Sequence, residues 1–293
     1  MKELFEVAAG SIAGRNHRRI GLNNQDAYYG FSSSEATLAV VCDGCGSGAH
    51  SEVGAKIGAR LVVEAIRRSL SHQSEESPPD SAFLEEVRQE VLVRLQSLAI
   101  AMGGDGYSVS KQIIHNYFLF TIIGALLTPR GAIVFSKGDG AIVVNGKPLF
   151  LGPFPDNAPP YLAYELLSPS PDRWQFQVHH QLAIDEVDSI LIGTDGIIDL
   201  MAISEQNFPG KLDRIGAIGQ FWEQDRYFKN PDLVRRQLYA IAREVPKMDL
   251  ENRQVHKEVG FLPDDTTLMV IRRRQQNYKT RSINMGASPD NKQ

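Results

Sequence analysis

Apolar and polar positions divide this chain into short strands and paired helices. Phe5–Ile12, a run opening at Asp26 (Asp26-Ala27-Tyr28-Tyr29) and Ala36–Cys42 read as strands, the last apolar enough to be buried. The polar segment Gly14–Asn24, with Arg15, His17, Arg18 and Arg19, reads as a loop. After Ser51, Val53, Ile57 and Leu61 recur at helical spacing, and Val62 and Ile66 widen that face. A second helix is predicted over Ser81–Met102, with Leu84, Val87, Val91, Leu95 and Leu98 on one face and Gly103-Gly104-Asp105-Gly106 ending it. Strands resume at Tyr117–Thr128, Ala132–Ser136 and Ala141–Val144, split by Pro129-Arg130-Gly131, Gly138-Asp139-Gly140 and the hairpin signal Asn145-Gly146. Gly152–Pro171, rich in proline and aromatic residues, reads as an ordered surface insertion. Trp174–Leu182 and Ser189–Ile192 are read as further strands, Ile197–Met201, Lys211–Gln224 and Pro231–Glu244 as helices, and Thr266–Ile271 as a last strand. Helices in pairs between runs of hairpins predict an α+β protein, with antiparallel sheets and helix pairs outside.

The stretch Leu38–Gly48 poses the first chemical question. An apolar run stops at Asp43, and Gly44, Gly46 and Gly48 follow. Asp43 and the Gly44 carbonyl suit a metal ion; Gly44-x-Gly46-x-x-Ala49 suits a dinucleotide's phosphates. The predicted order of elements is not the strand–helix alternation of a dinucleotide fold. Glu64, 20 residues past Gly44, falls inside a predicted helix rather than at a strand end.

Composition narrows the classes. With 42% hydrophobic and 23% charged residues, the 293-residue chain has the makings of a sizeable globular core. A net charge of -4 without a basic stripe argues against nucleic acid; the late cluster Arg272-Arg273-Arg274 adjoins a polar tail. The N-terminus lacks a charged-then-apolar targeting pattern, and no apolar run approaches the roughly 20 residues that span a bilayer. Two cysteines exclude a disulfide framework and suit a reducing, cytoplasmic compartment. Cys42 and Cys45 have C-x-x-C spacing, but without a second pair they are read as packing and loop residues. Residues 1–273 are expected to form one domain and 274–293 a polar, disordered tail.

Acids at strand ends carry the functional signal. Asp43-Gly44, Asp139-Gly140 and Asp195-Gly196 each close an apolar run, Asp264-Asp265 precedes the last strand, and Asp26 opens another. One Asp-Gly is a turn signal only. Several carboxylates at converging strand ends repel one another and call for cations, and oxygen-only donors favour Mg²⁺ or Mn²⁺ over zinc. Asp195 and Asp199, four apart, share a face if the helix starts at Asp195. His179-His180 and Asp185-Glu186 match no ligand spacing and are read as a solvated strand edge and turn; Trp174 and Trp222 are read as core.

In order, Asn24-Gln25-Asp26, Val41-Cys42-Asp43-Gly44-Cys45-Gly46, Gly138-Asp139, Asp195-Gly196-Ile197-Ile198-Asp199 and Asp264-Asp265-Thr266-Thr267 resemble the motifs of PP2C-type metal-dependent protein phosphatases. The Gly14–Asp26 pattern with Asp-Gly-x-Gly-Ser resembles a bacterial branch. The resemblance runs over about residues 8 to 272. It implies a four-layer α-β-β-α sandwich and a phosphoserine/phosphothreonine phosphatase acting, as a monomer, on a phosphorylated protein. It further implies catalytic Asp43, Asp195 and Asp264. Two or three Mn²⁺ or Mg²⁺ ions would be held by Asp26, Asp43, the Gly44 carbonyl, Asp139, Asp195, Asp199 and Asp264. Gln25 stands where many relatives have Glu, Gly21 where a phosphate-binding Arg is common, and Cys45 where eukaryotic relatives have His. Arg15, His17, Arg18 and Arg19 are the candidates to replace that arginine. The same departures leave a second expectation: a weak or inactive phosphatase fold that binds a phosphoprotein or regulatory partner.

Overall fold

The computed structural model describes residues 1–72, 78–103, 108–155, 158–168, 175–249 and 254–275. Gly104–Gly106, Trp174 and the tail beyond Gln275 lie outside the described residues, so the expectations placed on them stand as expectations. Two five-stranded antiparallel sheets dominate. One holds β1 (Phe5–Ile12), β12 (Thr266–Arg273), β9 (Ser189–Gly193), β6 (Gly140–Val144) and β7 (Lys147–Leu151), in that spatial order. The other holds β2 (Asp26–Ser32), β3 (Thr37–Asp43), β4 (Ile122–Thr128), β5 (Gly131–Lys137) and β8 (Gln177–Leu182). β10 (Val245–Asp249) and β11 (Gln254–Glu258) form a separate hairpin.

Strand β3 shows how the layers assemble. Leu38, Val40 and Cys42 face α2 (Ser51–His72) and α3 (Ser81–Gly103), whereas Ala39 and Val41 face the opposite sheet. Side chains alternate across a strand, so a strand covered on both faces must be apolar throughout. Between the sheets, Val41, Ile123 and Val134 meet Ile142, Ile192 and Met269. Outside the first sheet, α5 (Gly196–Ala202) and α8 (Leu233–Ala242) bury Leu200, Leu238 and Ile241 against Leu191, Leu268 and Val270. These are the four expected layers: helices, sheet, sheet, helices.

Several elements differ from expectation. Gly14–Asn24 is not all loop: Arg15–Ile20 is a short helix, α1, closed by Gly21 in the left-handed conformation. It buries none of its residues, so it left no apolar period to read. The strand expected from Tyr117 begins at Ile122, because Ile114–Phe118 forms a π-helical turn following α4 (Lys111–Ile113). Lys211–Gln224 is mostly irregular, with α6 (Gln220–Glu223) and then α7 (Arg226–Lys229) as short helices. Strands β7, β10 and β11 were not predicted; β7 exposes four of its five residues, and β11 four of its five. Trp222 is half-buried against the outer core of the first sheet, as expected of a core residue. Asp185 and Glu186 are exposed, and His179 bonds Ser136 Oγ at 2.8 Å. Among the described residues no helix is long and apolar enough to cross a membrane.

Candidate metal-dependent active site

Where the ends of the two sheets meet, a cavity of about 430 Å³ opens, lined by Asp43, Asp139, Asp195, Asp264 and Asp265 together with His17. The topology puts them there. β2 and β3 pair with Asp26 directly opposite Asp43. The Asp43 N–H donates to Thr121 Oγ1 at 3.0 Å, and the Thr121 N–H returns to the Asp43 carbonyl at 2.8 Å. Asp139 sits in the β5–β6 turn between Gly138 and Gly140, whose φ values of 105° and 135° suit glycine. Asp195 follows the end of β9 by two residues and immediately precedes α5, and Asp264 precedes β12. Gly44 has no room for a side chain: a Cβ would stand 2.8 Å from the Ser51 carbonyl oxygen and 2.9 Å from that of Gln25.

Asp26 lies beneath this wall, 3% exposed. Thr194 Oγ1 donates to its Oδ2 at 2.7 Å, while its Oδ1 is buried without a partner among the described residues. Burial first, then the Asp265 and Asp195 charges, pushes its carboxyl well above the ordinary aspartate range. Burial also raises Asp43 well above that range, with Asp26, Asp195, Asp139 and Asp264 adding repulsion. Asp195 is pushed up to about 6, by burial and then by Asp264 and Asp139. Burial raises Asp139 as well. Among the described residues, no lysine or arginine lines the cavity to offset these charges. A donor set dominated by carboxylate oxygens, their mutual repulsion and a buried carboxylate oxygen with no partner among the described residues suit a site for hard divalent cations.

Asp265 does a different job from its neighbour. Its Oδ1 accepts from the Gly14 N–H at 2.7 Å and pairs with His17 Nδ1 at 2.8 Å, and its Oδ2 accepts from the Gln25 N–H at 2.6 Å. It ties α1 and the start of β2 to the start of β12. Ligand atoms of His17, Asp264 and Asp265 lie within 4.8 Å of one another, but Asp265 spends both oxygens on donors. Asp264, with its side chain 62% exposed, keeps capacity to ligate. Gly14 permits this knot, since a Cβ there would meet the Asp264 carbonyl carbon at 2.2 Å.

The fold separates the four candidate phosphate contacts. His17 lines the acidic cavity. Arg15, Arg18 and Arg19 do not: Arg15 Nη1 donates to the Gly260 carbonyl at 2.7 Å, Arg18 donates to the Ala242 carbonyl, and Arg19 lies 3.7 Å from Glu244. Helical winding sends them to the opposite face of α1, which a loop reading could not foresee. Asp199 is exposed one turn along α5 from Asp195 and does not line the cavity. Gln25 is buried, its Nε2 donating to Ser51 Oγ at 2.8 Å, so an internal bond stands where a charge was missing. Cys45 lines the cavity, 3.1 Å from Ser47 Oγ, and bonds the hydroxyl of Tyr161. Tyr161, Tyr164, Ala158 and Pro159 bring the insertion onto one wall. Thr121, Thr194 and the anchoring role of Asp265 emerge only in the fold. Isolated threonines carry no spacing signal, and the Asp264-Asp265 pair does not say which acid turns inward.

The family model described as protein phosphatase 2C matches residues 13–224. No curated protein matches the chain. Solved structures with a similar fold include the PP2C phosphatase domain and a fragment of the regulatory domain of SpoIIE from Bacillus subtilis. That match has 14% identity and a TM-score of 0.42, and covers 92% of this chain and 63% of that one. The catalytic domain of the serine threonine protein phosphatase PstP in complex with two manganese ions is 14% identical, with coverage of 93% and 99% and a TM-score of 0.44. A C. elegans sex determining protein is 10% identical, with coverage of 92% and 64% and a TM-score of 0.49. The chain thus spans less than two thirds of the SpoIIE and C. elegans chains.

Proposed function

The chain belongs to the protein phosphatase 2C family, and from that premise we propose that it hydrolyses phosphoserine and phosphothreonine in proteins with Mn²⁺ or Mg²⁺. The observation that carries this reading is the convergence of Asp43, Asp139, Asp195 and Asp264 on one cavity with no lysine or arginine in its wall among the described residues, above the buried Asp26. Asp43, Asp195 and Asp264 would hold one ion, and Asp43, Asp26 and the Gly44 carbonyl a second, in part through water. A third, weaker one would take Asp139 and Asp195 from the cavity and Asp199 from the exposed turn of α5 next to Asp195, outside the cavity lining. Bound there, such ions supply a water acidic enough to attack at neutral pH and a clamp on the phosphoryl oxygens.

The chain's own residues prepare that chemistry. Thr194 holds one oxygen of Asp26 and leaves the other free. Thr121 and Gln25 fix the backbone around Asp43 and Gly44. Asp265 holds His17 through Nδ1, leaving that imidazole on the cavity wall as the contact for a phosphoryl oxygen. Tyr161 and Tyr164 limit the open side of the cavity. Mn²⁺-dependent release of phosphate from a phosphoserine peptide tests the reading. Loss of that activity in Asp43→Ala and Asp195→Ala supports it, and equal activity in both variants refutes it.

The second reading, a module that binds a phosphoprotein without turning it over, is favoured by one observation: no arginine lines the cavity among the described residues. Mn²⁺-dependent binding of the same peptide without phosphate release separates it from the first.

A further inference from the structure

A second cavity, of about 330 Å³, is lined by Arg15, Arg18, Arg19, Tyr239, Arg243 and Glu244. It shares no residue with the acidic one. We infer that these arginines form an oxyanion site that takes a carboxylate or phosphoryl group on the peptide flanking the phosphorylated residue; the peptide part of this inference rests on the phosphatase reading above.

Charge is the first argument. Four guanidiniums line this cavity against one carboxylate, in a chain whose net charge is -4. Glu244 is already shared, 3.7 Å from Arg19 and 3.5 Å from Lys257 Nζ. The second argument is unmet hydrogen bonding. Arg15 Nε and Arg243 Nε are both shielded from solvent with no acceptor among the described residues, an arrangement that is unfavourable unless an acceptor arrives. The third is rigidity. The Arg15 and Arg18 side chains are anchored on the carbonyls of Gly260 and Ala242, and Arg18 lies 5.3 Å from the Tyr239 ring centroid. Those acceptors are neutral, so they orient the guanidiniums without cancelling their charge. Planar guanidinium forks match the oxygens of a carboxylate or phosphoryl group.

Position makes the site a flank reader. Arg15 and Arg19 are one turn apart on α1, and His17, on the opposite face, lines the acidic cavity. A helix is roughly 10–12 Å across, and an extended peptide advances about 3.3 Å per residue. The flanking anion therefore belongs roughly three or four residues from the phosphorylated one.

Two measurements on the full chain test this. Titration with inorganic phosphate, followed by NMR of arginine Nε–H groups, should give saturable shifts at Arg15 and Arg243. Absence of saturable shifts at both overturns the site. In steady-state hydrolysis, a phosphoserine peptide with glutamates three and four residues away should have a KM about fivefold below that of a neutral counterpart. Arg243→Gln should abolish the difference while leaving p-nitrophenyl phosphate turnover unchanged. Should Arg243→Gln fail to fold, Arg19→Glu, at an exposed position, should remove the same preference. Equal KM values in the unmodified protein, with the NMR shifts present, overturn the peptide flank and leave a free anion as the ligand. No hydrolysis of either peptide or of p-nitrophenyl phosphate refutes the phosphatase reading, while the NMR arm still decides the anion site.

Discussion

Two charged depressions flank α1, and they are built in opposite ways. On one side, among the described residues, aspartates crowd a cavity with no lysine or arginine in its wall, and Asp26 keeps a buried oxygen unpartnered. On the other, arginines surround a cavity with one shared carboxylate, and two guanidinium Nε groups have no partner among the described residues. Between them, Asp265 shows what a satisfied buried charge looks like, with two backbone N–H groups and one imidazole on its two oxygens. A protein can bury an isolated charge by bonding it fully, as at Asp265. Leaving charges of one sign together and only partly bonded costs stability, and suits a place where something of the opposite sign is to bind.

The sharpest way to break this contrast is at its acidic end. Asp43→Ala should lower kcat/KM for a phosphopeptide by about 10³, or ~4 kcal/mol in transition-state stabilisation, measured at saturating Mn²⁺. Asp265→Ala should act on the fold instead. It strands the donors of Gly14, Gln25 and His17, and urea denaturation should show a loss of about 3 kcal/mol.

Proton linkage gives the next effect. Asp195 in the folded, metal-free chain titrates at about 6, above its ordinary value, because of burial and then Asp264 and Asp139. The folded state therefore holds more protons than the unfolded one between roughly pH 4 and 6, so this contribution is full below that window and lost as pH rises through it. Asp26 and Asp43 push the same way. In chelator, the melting temperature should be higher at pH 5 than at pH 7, and added Mn²⁺ should raise it more at pH 7. A chelated protein equally stable at both would break the picture of uncompensated carboxylates.

Smaller still, Thr194→Val removes the hydroxyl on Asp26 Oδ2. Calorimetry should show Mn²⁺ affinity down about tenfold, within the range for loss of a partner that orients a metal ligand. The fivefold KM preference assigned to the arginine side, ~1 kcal/mol, is the finest probe.

Much of the acidic side was legible in the chain. Asp43, Asp139 and Asp195 each follow an apolar run and precede glycine, and Asp264 precedes one. Strands ending at one level of a sandwich must bring such residues together. The arginine side was not legible. Arg15, Arg18 and Arg19 looked like loop charges and phosphate contacts, and only the winding of α1 turned them from His17. Arg243, over 220 residues away, offered no signal at all. β7 and the β10–β11 hairpin also escaped, because short exposed strands carry little apolar alternation.

By itself the sequence determined the apolar strands and helices, the paired-helix order that excludes a dinucleotide fold, and the acids at strand ends. Those depend on local periodicity and on residue types whose chemistry is intrinsic. Tertiary structure alone decided that Asp265 turns inward onto three donors while Asp264 stays open, that Asp26 faces Asp43, and that α1 carries an imidazole to one cavity and arginines to another. These are questions of which donor meets which acceptor across tens to hundreds of residues, and only the packed chain answers them.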